Sequence, residues 1–424
     1  MLATAELIQE ATLPDRLQEL LPRWLREVPL YRTVASAANA QVGEVLHRMP
    51  LITKADIRRD FPRNFLRAGD TLDALLDQEL VELEHTSGTS EARTPLLLGL
   101  GWWAEQEARA LRLNALAASV LDESSSPRRL TLSSPVCSGD ISFKGVPSCA
   151  DRTIGTTLFS SLSRFPFLWG ETDLARIAAE AIEWQPRFLD VDPVYGVVFA
   201  RYCEQKGIRL PSLKFIICSY EFVSVNHRRI LERAFGVPVF NLYGSTETGH
   251  LLMETESGEL RPSLDTAYLQ VLNVDRQGVG ELAVTTLTND FMPLIRYRIG
   301  DLVERFDEPY STTYRVHGRA ADSFALSSGV RLTTWQIDQC FAQLHGAAHY
   351  QLHQRAVGEW RLRYVPDITG LVELDTAELS ARLIGLFGAD AQLSIEATDL
   401  LMPETSGKFR LGYPPKESPA AESR

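Results

Sequence analysis

Two short clusters in the chain carry residue types suited to phosphate chemistry. Thr86, Ser87, Gly88, Thr89 and Ser90 set four hydroxyls around one glycine. Amide N–H groups beside a glycine, joined by Ser and Thr hydroxyls, can cradle phosphate oxygens. The same composition also makes a solvated hairpin turn. It is not a Walker A loop, because GxxxxGK[ST] is absent. The second cluster, NLYGSTETGH at 241–250, holds Glu247 among Tyr243, Gly244, Ser245, Thr246 and Thr248. A carboxylate beside a phosphate site would hold a divalent cation, since two bare anions repel. The competing reading is a capping box with Ser245 or Thr246 as N-cap. Asp301, after Gly300 in IRYRIGDLV, suits two hydrogen bonds from a ribose diol, or a turn or ion pair. Arg319 in HGRAAD and Lys408 in PETSGKFR stand on small polar turns, where a cation is either solvated or delivered to a phosphate. No GxSxG elbow is present, which argues against an α/β-hydrolase triad. His349 and His353 lie in a strand-like pattern with no third ligand in sequence, which argues against zinc there.

Positioning these residues requires regular elements. The runs at 79–84 and 95–100 read as strands flanking the hydroxyl loop, and 102–121 reads as one helix by its apolar spacing. Between 172 and 244, helical periods alternate with buried apolar runs, and Gly207 and Gly236 mark helix stops. Such alternation predicts a mostly parallel sheet covered by helices, an α/β fold. Glu247 then lies just past the carboxyl end of a strand, where open α/β sheets bind ligands. From Ala267 to Phe306 the pattern changes to short alternating strands. After Gly318 an αββαβ order predicts a smaller α+β domain. The expected division is 1–318 and 319–424.

Composition narrows the function classes. The 424 residues carry a formal charge of −12, with 45% hydrophobic and 23% charged residues. That charge works against a nucleic-acid partner, because phosphate affinity at that scale needs an excess of Lys and Arg. No apolar run approaches the roughly 20 residues that span a bilayer, so no membrane partner is expected. The N-terminus reads as an amphipathic helical stretch, not a signal peptide. Five cysteines, at 137, 149, 203, 218 and 340, show no CxxC spacing and suit a reducing compartment. A cytoplasmic location is expected.

Taken in order, HTSGTS, YGSTETG, RYRIGD, HGRAAD and SGKFR resemble the signature motifs of the ANL adenylate-forming enzymes. VPLYR, PLITKADIR, LKFIICSYEFVS and TLTNDFMPLIRYRIGDL, with the short C-terminal domain, resemble the phenylacetate–CoA ligase branch. The resemblance implies a large N-terminal domain with parallel sheets and the strands of a small barrel, and a mobile α+β lid. It implies ATP-dependent activation of an aryl carboxylic acid as acyl-adenylate, then transfer to coenzyme A. Carried over by position, Thr86, Ser87, Gly88, Thr89 and Ser90 form the phosphate loop, and Tyr243, Gly244, Ser245 and Thr246 line the ATP. Glu247 holds Mg²⁺, Asp301 takes the ribose hydroxyls, Arg319 stands near ribose and phosphate, and Lys408 stabilises charge during adenylation. By the same resemblance Phe143, Tyr220, Phe222, Thr248 and His250 are candidates for the acyl pocket, with core packing the competing reading of the aromatic ones. A homodimer is compatible with the branch.

Three departures bear on that reading. The phosphate loop continues as Glu91-Ala-Arg-Thr-Pro95, without the second glycine and lysine usual in the family. The hinge position carries Ala321 in place of an acidic residue or lysine, with Asp322 beside it. No cysteine lies between Glu247 and Cys340, so no structural zinc of the kind some branch members hold is expected. Two alternatives follow: transfer of the acyl group to an amine, hydroxyl or carrier-protein thiol, or a nucleotide-binding regulator without turnover.

Overall fold

The computed structural model describes residues 13–32, 42–86, 93–124, 126–135, 147–309, 311–326, 329–405 and 407–415. The chain packs as two discontinuous compact units: Met1–Asn114 with Tyr243–Met253 and Glu259–Tyr314, and Ala115–Leu242 with Glu254–Gly258 and Arg315–Arg424. The expected lid, 319–424, therefore shares the second unit with residues 115–242.

In the first unit, strands Val81–His85 and Pro95–Gly99 form the antiparallel hairpin that carries the hydroxyl loop. The short strands expected after Ala267 form an antiparallel meander of Ala267–Leu272, Val279–Thr286 and Tyr297–Glu308. Asp301 thus lies inside a strand, at the register shift between Val279–Thr286 and Tyr297–Glu308, which replaces its turn reading. The N-terminal helices brace this unit. Tyr31, 2% exposed, donates its hydroxyl to the Pro293 carbonyl and accepts the Ile295 amide, at 2.8 and 3.1 Å. Arg296, at φ 52°, donates to the His47 and Met49 carbonyls at 2.8 and 2.6 Å. A buried backbone carbonyl needs such a donor.

The second unit holds the parallel sheet. Strands Thr157–Phe159, Arg129–Leu132, Phe188–Val191 and Phe215–Cys218 pair in parallel, and Val239–Ser245 enters beside Phe215–Cys218. Phe188–Val191 and Phe215–Cys218 are buried at every position, the pattern of strands covered on both faces. Helices Glu171–Trp184, Pro193–Lys206 and Val225–Phe235 connect them. Two of these helices end on the left-handed glycines Gly207 and Gly236, as the sequence predicts. Asp192 caps Pro193–Lys206, accepting the Val194 amide at 3.0 Å. The single helix expected over 102–121 is two, Trp102–Leu111 and Ala115–Glu123. The amides of Leu113 and Asn114 bond three residues back, tightening the turn and ending the first helix.

In the C-terminal segment, strands run in the order Gln392–Ala397, Glu359–Pro366, Ala347–Ala356 and Gly412–Tyr413, with helices Thr334–Gln339 and Thr376–Phe387. This segment is tied to helix Val225–Phe235 within the same unit. Asp338 accepts the Ser224 hydroxyl and the Val225 amide at 2.6 and 2.9 Å. His227 Nε2 and His349 Nδ1 meet at 3.0 Å, both side chains buried, and burial lowers both imidazole pKa values.

Phe199 is fully buried among the helices of the parallel sheet, beside the Phe235 ring. Phe199→Ala is expected to lower the unfolding free energy by about 3–5 kcal/mol, read from urea unfolding. Ile182→Ala, at a 54% exposed position, should change it by about 0.5 kcal/mol or less.

Candidate active site

The YGSTETG segment folds as a tight hairpin. Strand Val239–Ser245 turns through 246–248 into strand Gly249–Glu254. The Thr248 amide donates to the Ser245 carbonyl at 3.2 Å, and the two hydroxyls meet at 3.0 Å. A Cβ on Gly244 would lie 2.2 Å from the Gly249 carbonyl oxygen, so no side chain fits there. The capping-box reading of Ser245 and Thr246 is replaced by a hairpin whose strands approach too closely for any residue but glycine.

This hairpin points Glu247 inward, to 5% exposure. Its Oε1 accepts the Tyr297 hydroxyl at 2.9 Å and pairs with Lys54 Nζ at 3.0 Å. Burial by itself would raise the Glu247 carboxyl; the Lys54 ammonium and the hydrogen bonds outweigh it and hold the group below its ordinary value. Lys54 opens the helix Lys54–Arg58, whose start is fixed by Thr53: its amide and hydroxyl donate to Asp56 at 2.9 and 2.7 Å. Neither Lys54 nor Tyr297 stood out as a site residue in the sequence. Their only signal was membership of PLITKADIR and RYRIGD.

Tyr243 leaves the same strand and donates its hydroxyl to Asp301 Oδ2 at 2.6 Å. Asp301 is 7% exposed, and a carboxylate has further acceptor positions for a diol. His250 lies against the Trp103 ring at 4.8 Å between centroids, and Thr248 is fully buried. Thr86 closes the base of the hydroxyl loop, its amide donating to the Thr94 carbonyl and its hydroxyl accepting the Thr94 amide, at 3.0 and 3.1 Å. Ser87, Gly88, Thr89, Ser90 and Phe143 lie outside the described residues. The first unit thus brings together Tyr243, Glu247, Thr248, His250 and Asp301.

The second unit holds the others. Tyr220 adopts φ 73°, uncommon for a bulky residue, and donates its hydroxyl to Asp190 at 3.1 Å, beside Ser219 at 2.6 Å. Phe222 packs against the apolar core of the C-terminal segment. Arg319 is exposed at the end of strand Ser311–Arg319. Ala321 follows in a short turn, where Arg410 pairs with Asp322 at 2.6 Å. The Lys408 ammonium acts electrostatically on the carboxyl groups of Asp192 and Glu221. Burial pushes Asp192 up to about 7 and Glu221 well above its ordinary value, while Lys408 opposes both shifts.

Among the described residues no three His, Cys, Asp or Glu side chains form a metal-binding group. A cation at Glu247 would have one protein carboxylate and take its other ligands from phosphates and water, which is how Mg²⁺ is commonly held. The ionised, inward-facing carboxylate fits that use. No helix among the described residues is long and apolar enough to cross a membrane.

No protein-family model matches the chain. It is 25% identical over 402 residues to the phenylacetate–coenzyme A ligase of Escherichia coli (strain K12), covering 88% of this chain and 84% of that one. The Pseudomonas putida phenylacetate–coenzyme A ligase is 24% identical over 426 residues, covering 91% and 90%. Among solved structures, 2-hydroxyisobutyryl-CoA ligase in the postadenylation state matches with a TM-score of 0.66 at 19% identity, over 95% of this chain and 88% of that one.

Lys54→Met would leave the Glu247 carboxylate buried without its ammonium. At pH 7 it should destabilise the protein by about 1–3 kcal/mol. Because the folded pKa of Glu247 is depressed, the stabilisation is present above its unfolded value and lost as pH falls through the folded one. The difference between parent and variant should therefore shrink in acid. Urea unfolding at both pH values tests this; an undiminished difference in acid would refute the pairing.

Proposed function

We propose that this chain, a homologue of the phenylacetate–coenzyme A ligases with the fold of the ANL adenylate-forming enzymes, activates an aryl carboxylic acid with ATP and passes it to coenzyme A. Homology along most of the chain carries the reading. The ionised Glu247 and the Tyr243–Asp301 pair support it.

In the first step a carboxylate oxygen attacks the α-phosphorus of ATP. The new P–O bond forms as the bond to the β-phosphate breaks, releasing pyrophosphate and leaving an acyl-adenylate. In the second, the thiol sulfur attacks the acyl carbon, the C–S bond forms and AMP leaves. Both steps rest on positioning and on charge placed where negative charge develops. Tyr243 lies against the adenine, with Gly244, Ser245 and Thr246 lining the nucleotide. Asp301 binds the ribose hydroxyls while keeping the Tyr243 hydroxyl on one oxygen. Glu247 would hold Mg²⁺, and the bound ion would supply charge neutralisation at the phosphates. Lys54 keeps Glu247 ionised until the cation arrives. The hydroxyl loop from Thr86 to Ser90 binds phosphate. Lys408 supplies positive charge during adenylation, and Arg319 stands by the ribose and phosphate. Thr248, His250, Tyr220 and Phe143 belong to the acyl pocket; for Phe222 packing in the C-terminal core is the better-supported role. The segment 319–424 acts as the lid, with Ala321 at its hinge. Unpaired Cys203, Cys218 and Cys340 are in keeping with a reducing, cytoplasmic setting.

A second reading keeps the adenylation step and changes the acceptor to an amine, a hydroxyl or a carrier thiol. Ala321 favours it, because the side chain usual at the hinge is absent while Arg410 holds the neighbouring Asp322.

Lys408→Ala should reduce acid-dependent ATP–pyrophosphate exchange by about 100- to 1,000-fold with the melting temperature retained. Undiminished exchange would overturn the assignment of the lysine. Incubation of the parent with ATP, a panel of aryl acids and coenzyme A, read by mass spectrometry, should yield acyl-CoA. Acyl-adenylate accumulating without any thioester would favour the second reading.

A further inference from the structure

We propose that Glu221 is a positioning residue for Lys408, holding the turn that presents the lysine ammonium. This rests on the reading of Lys408 as the adenylation lysine.

The Lys408 turn is short and internally closed. The Gly407 amide donates to the Glu404 carbonyl at 2.8 Å, and the Glu404 amide donates to the Lys408 carbonyl at 2.7 Å. Gly407 sits at φ 87°, and a Cβ there would lie 2.4 Å from the Ser134 hydroxyl oxygen. No side chain larger than hydrogen fits between the turn and Ser134. A closed turn still needs an anchor to aim a flexible four-carbon side chain.

Two anchors flank the lysine. On its carboxyl side, Phe409 is 4% exposed and packs its ring against Phe167, Tyr195 and His349. The Phe409 amide donates to Glu221 Oε1 at 2.5 Å, so the acceptor falls on the peptide next to Lys408. On its amino side, the Tyr195 hydroxyl reaches the Gly407 carbonyl at 3.4 Å, and Arg164 donates to the Thr405 carbonyl at 2.6 Å. Tyr195 holds the Gly407–Lys408 peptide and Glu221 the Lys408–Phe409 peptide; of the two, Glu221 also interacts electrostatically with the Lys408 ammonium. Asp192, at the start of helix Pro193–Lys206, interacts electrostatically with the same ammonium. Its Oδ1 is engaged in capping that helix, which leaves Glu221 as the residue joined to the turn itself.

The position of Glu221 is itself held by the fold. It follows Tyr220, whose left-handed backbone and hydroxyl bond to Asp190 turn the chain sharply after strand Phe215–Cys218. The Glu221 amide donates to the Ser219 carbonyl at 2.9 Å, and the chain then enters the Ser224 cap of helix Val225–Phe235. The carboxylate therefore projects from a constrained turn between two regular elements.

Positioning through an accepted hydrogen bond makes a distinctive prediction. Glu221→Leu, which removes the acceptor and keeps the bulk, should reduce ATP–pyrophosphate exchange by about 10- to 100-fold. Glu221→Gln, which keeps an oxygen acceptor, should restore exchange to within about threefold of the parent, a small part of the leucine loss. In a Lys408→Ala background Glu221→Leu should cause no further loss, because a residue acting through the lysine has nothing left to position. Full exchange in Lys408→Ala would overturn the lysine reading and with it this inference. Loss in Lys408→Ala together with unchanged exchange in Glu221→Leu would overturn the inference alone. So would a Glu221→Leu loss of equal size in both backgrounds. If the leucine variant does not fold, Glu221→Ala takes its place in the same cycle. Site-resolved acetylation of Lys408 by acetic anhydride gives a readout independent of turnover: labelling should speed up in the leucine variant and stay at the parent rate with glutamine.

Discussion

Keeping Glu247 ionised while it is buried is the constraint on which the first unit depends. A carboxylate taken out of water costs several kcal/mol unless its charge is compensated. Lys54 and Tyr297 supply that compensation at 3.0 and 2.9 Å, and each must be delivered from a different part of the chain. Lys54 arrives on a helix whose start is set by Thr53 and Asp56. Tyr297 arrives on the strand that also carries Asp301. The bracing of residues 293–296 by Tyr31 and by the Arg296 side chain therefore serves the site as well as stability. It fixes where that strand begins.

The hairpin from Tyr243 to Gly249 works under a second constraint, steric in origin. Gly244 lets two backbones approach more closely than any Cβ permits, and Gly249 leaves room for the Trp102 and Gln106 side chains. Tyr243 and Glu247 can then leave the same hairpin toward Asp301 and Lys54 respectively. A small-residue cluster whose composition also suits a helix cap is a tight hairpin in three dimensions.

In the second unit the corresponding problem is to hold a lysine on a polar turn. The solution uses the parallel sheet. Asp192 and Glu221 both follow carboxyl ends of its strands, Phe188–Val191 and Phe215–Cys218, where side chains converge in open α/β sheets. Ser134 stands shortly after a third, Arg129–Leu132. The C-terminal segment contributes Phe409 to the core beneath them, so the turn is tethered by an apolar ring and aimed by polar neighbours. The buried His227–His349 contact and the Asp338 cap extend the same packing along helix Val225–Phe235.

Local pattern was enough to read the α/β alternation, the glycine helix stops at Gly207 and Gly236, the antiparallel strands after Ala267 and the αββαβ order of the C-terminal segment. Each follows from side-chain period or backbone freedom within a few residues. The motif residues were legible for a different reason, since their order along the chain resembles that of a known family. What the sequence could not disclose were partnerships between distant positions. The split of 102–121 into two helices, the placement of Asp301 at a strand irregularity, and the roles of Lys54, Tyr297, Asp192 and Glu221 carry no local signature. Lys54 becomes the counter-charge of Glu247 only when tertiary packing buries the carboxylate and brings the part-exposed ammonium against it. Compensation of a buried charge is settled by distance and dielectric, and neither is a property of sequence spacing.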